Sequence, residues 1–375
     1  MLNYEFPPIG GGAGLAHRNI LRQFGSVGDL EVDVLTSGLE PGLVCEHPAP
    51  NISIHRVGIH KKDLHYWRKF EVVEWLVKAR RYYRRLLREN HHQLVHAFFA
   101  FPSGWLCYRT GDRLPYIVSL RGSDVPGYNV RLGLDYKLLS GLFRRIWRRA
   151  AAVVPNSIGL RDLARAFMPD LPMTVIPNGI DTDTFSPSAP PQVSHPVRLL
   201  TVCRLISRKR IDILINALVR LREMGVDARL DIAGQGNLLA PLQQLGRDLG
   251  VADKINFLAR VPSENMPELY RSSDIFLMSS AHEGMSNAML EAMASGLPII
   301  TTQCEGVQEL ITDNGVVVEE ATDKAIAAAI AQLAKDPQTY QSMCAAARQH
   351  ALTFSWRGVA EQYVALYRSI IERQE

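Results

Sequence analysis

The chain has 375 residues, of which 47% are apolar and 21% charged, with a net charge of +4. That length is too great for one ordinary core and calls for two domains, while no window is long and apolar enough for a transmembrane helix. Five cysteines without a CxxC pair exclude a disulfide scaffold and read as reduced, mostly buried thiols of a cytosolic protein. The opening MLNYEFPPIGG does not have the form of a signal peptide.

Only Met1–Phe6 precede PPIGGGAG, and Met1–Tyr4 is a short span for a central strand, which points to a true start a few residues upstream. Gly10, Gly11, Gly12 and Gly14 form a flexible loop leading into a helix around His17–Phe24. Such a loop lets backbone approach a phosphate or sugar closely; the plainer reading is a tight turn. The G-x-G-x-x-G fingerprint is absent, which counts against a nicotinamide dehydrogenase. VDVLTS, LVHAFFA, PYIVSL, AAVVPNS and TVIPNG read as buried strands. HRNILRQF, VVEWLVKARRYYRRLL and GLRDLARAF read as helices.

The net charge conceals an asymmetry. Residues 1–190 carry 24 Lys/Arg against 17 Asp/Glu, and residues 191–375 carry 18 against 21. Residues 61–89 alone hold ten basic and four acidic side chains, with Trp67, Phe70, Trp75, Tyr82 and Tyr83 among them. This stretch suits an anionic membrane or an anionic acceptor, and equally a solvated helix face over an ordinary core. No recognised nucleic-acid-binding module accompanies it. His96, inside VHAFF, is either a core histidine or a ligand contact. LRGSDVPGYN follows strand PYIVS, so Arg121, Ser123 and Asp124 stand where substrate should pass. The alternative for Arg121 is an ion pair with Asp124. PNGID at 177–181 reads as a structural turn.

Four prolines mark residues 187–196 as a linker. Alternation then restarts: RLLTVCRL, ARLDIAG, INFLAR, IFLMSS and LPIITT as strands, with DILINALVRLREMG, LAPLQQLGRDLG, ENMPELYRSS and NAMLEAMASG as helices. Repeated strand–helix units argue for parallel sheets covered on both faces, with ligands at the C-terminal strand ends in a cleft between two domains. RLISRKR follows a strand and places Arg204 and Lys209 where cations can neutralise a diphosphate, with Arg208 and Arg210 facing solvent. Gly234 and Gly236 read as a close approach of backbone to ligand.

Glu283 and Glu291 are eight residues apart in AHEGMSNAMLEAMASGLPIITT, the first in a loop and the second inside a helix starting near Ser286 or Asn287. Both carboxylates can approach one crevice, together with the amides of Met285, Ser286 and Asn287. Carboxylates suit sugar hydroxyls and amides suit phosphate, so the combination fits a nucleotide-sugar. Gly306 and Glu309 precede a helix nearby, and Glu309 equally serves as its N-terminal charge. No zinc spacing and no Ser–His–Asp arrangement stands out.

In their order, PPIGGGAG, HAFFAFPSG, RGSDVPG, VIPNGIDTDTF, RLISRK, IAGQG, INFLARV and EGMSNAMLEAMASGLPIITT resemble the retaining, nucleotide-sugar-dependent glycosyltransferases of family 4. The resemblance implies the GT-B fold, two Rossmann-like parallel-sheet domains facing across a deep cleft. It implies an acceptor domain over 1–190, a donor domain over 191–355, and a helix over 356–375 that packs back on the first. Under it, Glu291 binds the ribose hydroxyls, Glu283 the hexose hydroxyls, and Arg204 and Lys209 the diphosphate. Gly11 and Gly12 close over phosphate and acceptor. Most members carry a histidine where this chain has Arg121. The implied activity is transfer of a hexosyl group from a UDP-, GDP- or ADP-sugar to a glycan or lipid-linked acceptor, in bacterial cell-surface polysaccharide or lipopolysaccharide synthesis. No metal or other cofactor is expected, and the expected location is the cytoplasm, including the inner face of its membrane. The alternatives are a non-hydrolysing nucleotide-sugar epimerase and a non-catalytic scaffold that binds sugar nucleotides.

Overall fold

A computed structural model describes residues 1–64, 66–110, 114–129, 132–188 and 190–374 of the chain. It contains two compact units, Met1–Asn178 with Trp356–Glu375, and Gly179–Ser355.

The first unit is built on β1 (Val32–Gly38), β2 (Leu43–Ala49), β3 (Ile52–Gly58), β4 (Val95–Phe98), β5 (Tyr116–Leu120) and β6 (Ala152–Pro155). Strands β1 and β3 pair in parallel, as do β4 with β5 and β5 with β6. Leu2 stitches the two halves together, because its amide and carbonyl bond His96 and Phe98 on one side while Met1 and Asn3 bond Leu35 on the other. The short N-terminal stub thus occupies the centre of the sheet. The sheet is not wholly parallel, since β2 runs antiparallel to β3 at its edge. The segment TVIPNG, expected as a strand, pairs only briefly: Met173 just before it bridges Val153, the amides of Thr174 and Ile176 donate to the carbonyls of Val153 and Pro155, and Pro177 has no amide to continue the ladder.

Helices α1 (Gly12–Phe24), α2 (Lys69–Glu89), α3 (Ser103–Tyr108), α4 (Gly133–Arg149) and α5 (Ile158–Phe167) cover this sheet. In α2 the buried face is Glu71, Trp75, Ala79 and Tyr83, a four-residue recurrence that sets one stripe inward. Glu71 is tolerated there because Lys61 and the amides of Lys62 and Arg68 surround its carboxylate. The closing helix Trp356–Glu372 packs on α1 and buries Val359, Tyr363, Tyr367 and Ile370 in the same core.

The second unit has β7 (Val197–Val202), β8 (Ala228–Ala233), β9 (Ile255–Ala259), β10 (Ile275–Met278), β11 (Ile299–Thr302) and β12 (Gly315–Val318). All neighbours pair in parallel, in the order β9-β8-β7-β10-β11-β12. Helices α6 (Ile211–Glu223), α7 (Leu239–Asp248), α8 (Met266–Arg271), α9 (Asn287–Ala294), α10 (Val307–Leu310), α11 (Asp323–Lys335) and α12 (Pro337–Ala351) connect and follow the strands. Alternate residues feed two cores: Leu199, Leu277 and Ile300 enter one, and Leu200, Phe276, Met278 and Ile299 the other. That period of two, apolar in both directions, is why these strands read as continuous hydrophobic runs. The division between units falls at Asn178–Gly179, ahead of the proline-rich segment, whose Ala189 lies outside the described residues. Ile180 and Phe185 already pack in the second core, and Arg348 donates to the carbonyls of Thr182 and Phe185.

Candidate functional site

From β7 the chain of the second unit proceeds through β8 and β9 on one side, and from β10 through β11 and β12 on the other. The C-terminal ends of β7 and β10 therefore flank the point where the winding reverses, which is where doubly wound sheets leave a crevice. The loops leaving those two strands are fastened to each other. Ser279 Oγ donates to the carbonyls of Lys209 and Arg210, and the Ala281 amide donates to the Arg208 carbonyl. A 3-10 turn over Ser207–Lys209 then presents the Lys209 ammonium to the Glu283 carboxylate. The side chains of this pair are 10% and 17% exposed, so the contact is largely screened from water. Burial pushes the Glu283 carboxyl up, but Lys209, with Arg208 and Arg204, outweighs it and holds the group below its ordinary value.

Two further contacts fix Glu283. Its amide donates to Glu305 Oε2 at 3.0 Å, while Glu305 Oε1 lies 3.0 Å from His282 Nδ1. Gly306 adopts φ +82°, and a Cβ there would lie 2.0 Å from the Gly284 carbonyl oxygen, so glycine is required by both conformation and space. Ser286 caps α9 by accepting from the Met289 amide, and both Met285 and Ser286 are buried. Asn287, half-buried, begins the helix. Glu291 follows one turn later and accepts from Tyr270 Oη at 2.8 Å. Burial pushes the Glu291 carboxyl up to about 7, against the lowering effect of that hydrogen bond.

Lys209 and Glu283 are thus in contact, with the charges of Arg204 and Arg208 acting on the same carboxylate. Arg204 is exposed. Arg208 corrects the expectation of a solvent-facing side chain, because it is half-buried. Arg210 is exposed and pairs with Asp212. Gly234 and Gly236 make their close approach to neighbouring backbone: a Cβ would lie 1.9 Å from the Cys203 carbonyl oxygen and 2.2 Å from that of Leu205.

The first-unit candidates form a separate network. His96 is buried, with Nδ1 2.6 Å from Tyr367 Oη and Nε2 2.6 Å from Ser119 Oγ. The buried Asp124 carboxylate accepts from the amides of Ala100, Arg121 and Gly122, so it braces two loops. Arg121 does not use its guanidinium on Asp124. It donates instead to Asn178 Oδ1 at 2.9 Å and Tyr363 Oη at 3.1 Å, over the ring of Phe98. The Ser123 side chain is half-buried and its carbonyl accepts from Tyr136 Oη. Gly11 caps α1, Gly12 opens it, and both are exposed. Among the described residues no group of three or more His, Cys, Asp or Glu is placed to hold a metal ion.

Sequence reasoning passed over Tyr270 and Glu305. The signal for Glu305 was its place beside Gly306 at the end of β11; Tyr270 offered only an aromatic within a short helical pattern.

Residues 10–184 match the family described as Glycosyltransferase Family 4, and residues 186–350 match Glycosyl transferases group 1. A GDP-mannose-dependent alpha-(1-6)-phosphatidylinositol monomannoside mannosyltransferase of Mycolicibacterium smegmatis is 34% identical over 296 residues, covering 73% of this chain and 76% of that protein. An N-acetyl-alpha-D-glucosaminyl L-malate synthase of Bacillus anthracis is 26% identical, covering 97% and 95% of the two chains. The solved structure of a sucrose-phosphate synthase from Thermosynechococcus elongatus shares the fold, with a TM-score of 0.85 at 20% identity over 99% of this chain and 98% of that one.

Proposed function

This chain belongs to the GT-B glycosyltransferases of family 4 and group 1, and we propose that it is a retaining hexosyltransferase whose donor is held at the β7–β10 switch point. It is an enzyme that uses a nucleotide-sugar and acts on a glycan or lipid acceptor. The observation that carries the finer reading is the Lys209–Glu283 pair at that point, one loop away from the half-buried Glu291. In this reading Glu291 accepts from the ribose hydroxyls, and the ionised Glu283 accepts from hexose hydroxyls. Lys209 and Arg204 face the diphosphate.

As the anomeric carbon–oxygen bond breaks, its electron pair leaves with the nucleoside diphosphate. The two cations stabilise that growing charge. The acceptor hydroxyl bonds the anomeric carbon on the same face, through an oxocarbenium-like state, and its proton passes to the departing phosphate. Glu283 is engaged by Lys209, which favours this front-face route over attack by Glu283 itself. The acceptor is proposed to be lipid-linked or a growing surface glycan. The name of the Mycolicibacterium smegmatis relative makes GDP-mannose the first donor to try.

Calorimetric titration with GDP, UDP and ADP, on the parent and on Glu291→Ala, tests the site. One nucleotide is expected to bind, and the variant to bind it about tenfold more weakly or worse, as for a lost hydrogen bond to a charged group. Equal affinity in the two proteins would remove Glu291 from the ribose contact.

A further inference from the structure

The first unit presents a second working surface, whose argument does not depend on the donor reading. Six of the ten large exposed apolar side chains among the described residues lie on it: Tyr66, Phe70, Val73, Val77, Leu134 and Leu138, between 56% and 82% exposed. They are not scattered. The outward stripe of α2 runs Phe70, Val73, Val77, Arg81, Arg84 and Arg88, in steps of three and four residues, all exposed. That of α4 runs Leu134, Leu138, Gly141, Arg145 and Arg148, also all exposed. Each stripe is apolar in its first half and carries arginine in its second. Lys69 Nζ lies 2.7 Å from Asp135 Oδ1, which sets the apolar start of α2 beside the apolar start of α4.

The acidic side chains of both helices are held by cations: Glu71 by Lys61, Glu74 by Lys78, Glu89 by Arg85 and Asp135 by Lys69. The face therefore offers positive charge beside clustered apolar side chains. A patch of this kind on a soluble unit marks an interaction site. Nucleic acid would satisfy the arginines and leave the leucines and valines without a partner. A second copy docked through the same face would bring arginine stripes towards one another. A bilayer with anionic lipid satisfies both halves, apolar side chains entering the headgroup boundary and arginines meeting lipid phosphates. We infer that this α2–α4 face docks the enzyme on an anionic membrane surface, with Phe70, Val73, Val77, Leu134 and Leu138 as the inserting side chains.

Co-sedimentation of the full chain with vesicles tests this, using phosphatidylcholine alone and phosphatidylcholine mixed with phosphatidylglycerol. No nucleotide or acceptor is present, so the outcome is separate from that of the donor titration. The parent is expected to partition onto the mixed vesicles and not onto the neutral ones. Arg81→Gln/Arg84→Gln/Arg88→Gln should lower partitioning about a hundredfold, since three surface cations are lost. Val73→Ser/Val77→Ser/Leu134→Ser/Leu138→Ser should lower it by at least as much and remove what binding survives added salt. The single change Val77→Glu, on an exposed position, checks the same face without a multiple substitution. All variants should melt with the parent and bind nucleotide as it does. A parent that ignores anionic vesicles, or variants that bind them equally well, would overturn the inference. So would a parent dimer that the serine variant separates into monomers, because the face would then join two copies.

Discussion

Replacing Glu291 by Gln keeps the shape of the side chain and the bond from Tyr270 while removing the titrating proton. In the parent, burial raises this carboxyl from 4.5 to about 7. At about 1.4 kcal/mol per tenfold change in proton affinity, that rise amounts to about 3 kcal/mol. The sign follows from which state holds the proton. Below pH 4.5 the group is protonated folded and unfolded, and Glu and Gln are alike. Between 4.5 and about 7 the unfolded chain ionises while the folded chain stays protonated, so stability falls as pH rises. Above that window the full loss is present. Glu291→Gln should therefore match the parent at pH 4.5 and exceed it by about 3 kcal/mol at pH 8. The assay is denaturant unfolding of both proteins across this range, followed as their difference, in which other titrating groups cancel. Nucleotide supplies a second readout: ribose hydroxyls donating to the carboxylate favour its ionised form, so binding at pH 6.5 should release a proton. The binding enthalpy would then vary more steeply with the ionisation enthalpy of the buffer in the parent than in the variant, where only the nucleotide's own phosphate exchanges protons. A difference in stability that is flat with pH would refute the buried, raised carboxyl from which this reasoning starts.

Lys209→Ala should destabilise by about 3 kcal/mol at pH 7, because it leaves the Glu283 carboxylate largely buried without its closest cation. The parent's depressed Glu283 contributes stability above its ordinary 4.5 that is lost as pH falls through the lower folded value; in Lys209→Ala that dependence should vanish or reverse, as unfolding curves at pH 4 and pH 7 would reveal. Gly306→Ala should cost more than about 1 kcal/mol from backbone strain alone. It should also weaken nucleotide binding, since the Gly284 carbonyl must move from 2.0 Å, carrying Glu283 with it; an unchanged melting temperature would contradict that packing.

The second unit was legible because its central strands are largely buried, β10 and β11 on both faces, and so read as apolar runs. Val197–Val202, Ile275–Met278 and Ile299–Thr302 carry that signal directly, and the residues just after them locate the switch point. β2 was not legible: Cys45–Pro48 are exposed at an edge and carry polar residues, so nothing apolar distinguishes them from a loop. The residue types of the candidate site were visible at strand ends, but their partners were not. Lys209 and Glu283 are brought together by the pairing of β7 with β10, and Tyr270 reaches Glu291 from a helix two elements earlier, both long-range effects with no local pattern. Gly234 and Gly236 were read as approaches to a ligand, whereas the close approach present in the fold is to the Cys203–Leu205 backbone, which only the strand order brings there.

The Arg121 position shows how such partners change what a strand-end residue does. A half-buried guanidinium must be solvated by protein, and here the groups that receive it are neutral: an Asn178 amide oxygen, the Tyr363 hydroxyl and the face of Phe98. The Asp124 carboxylate accepts from the Arg121 amide and not from its guanidinium. Burial keeps His17 and His96 well below their ordinary proton affinity, and nearby positive charge, from the N-terminal amine and Arg121, acts in the same direction. Both histidines are therefore neutral, and each ring stacks on the same Phe98. The Arg121 side chain thus ties the end of β5 to the closing helix, a structural fastening at a position where the strand order alone suggests a ligand contact.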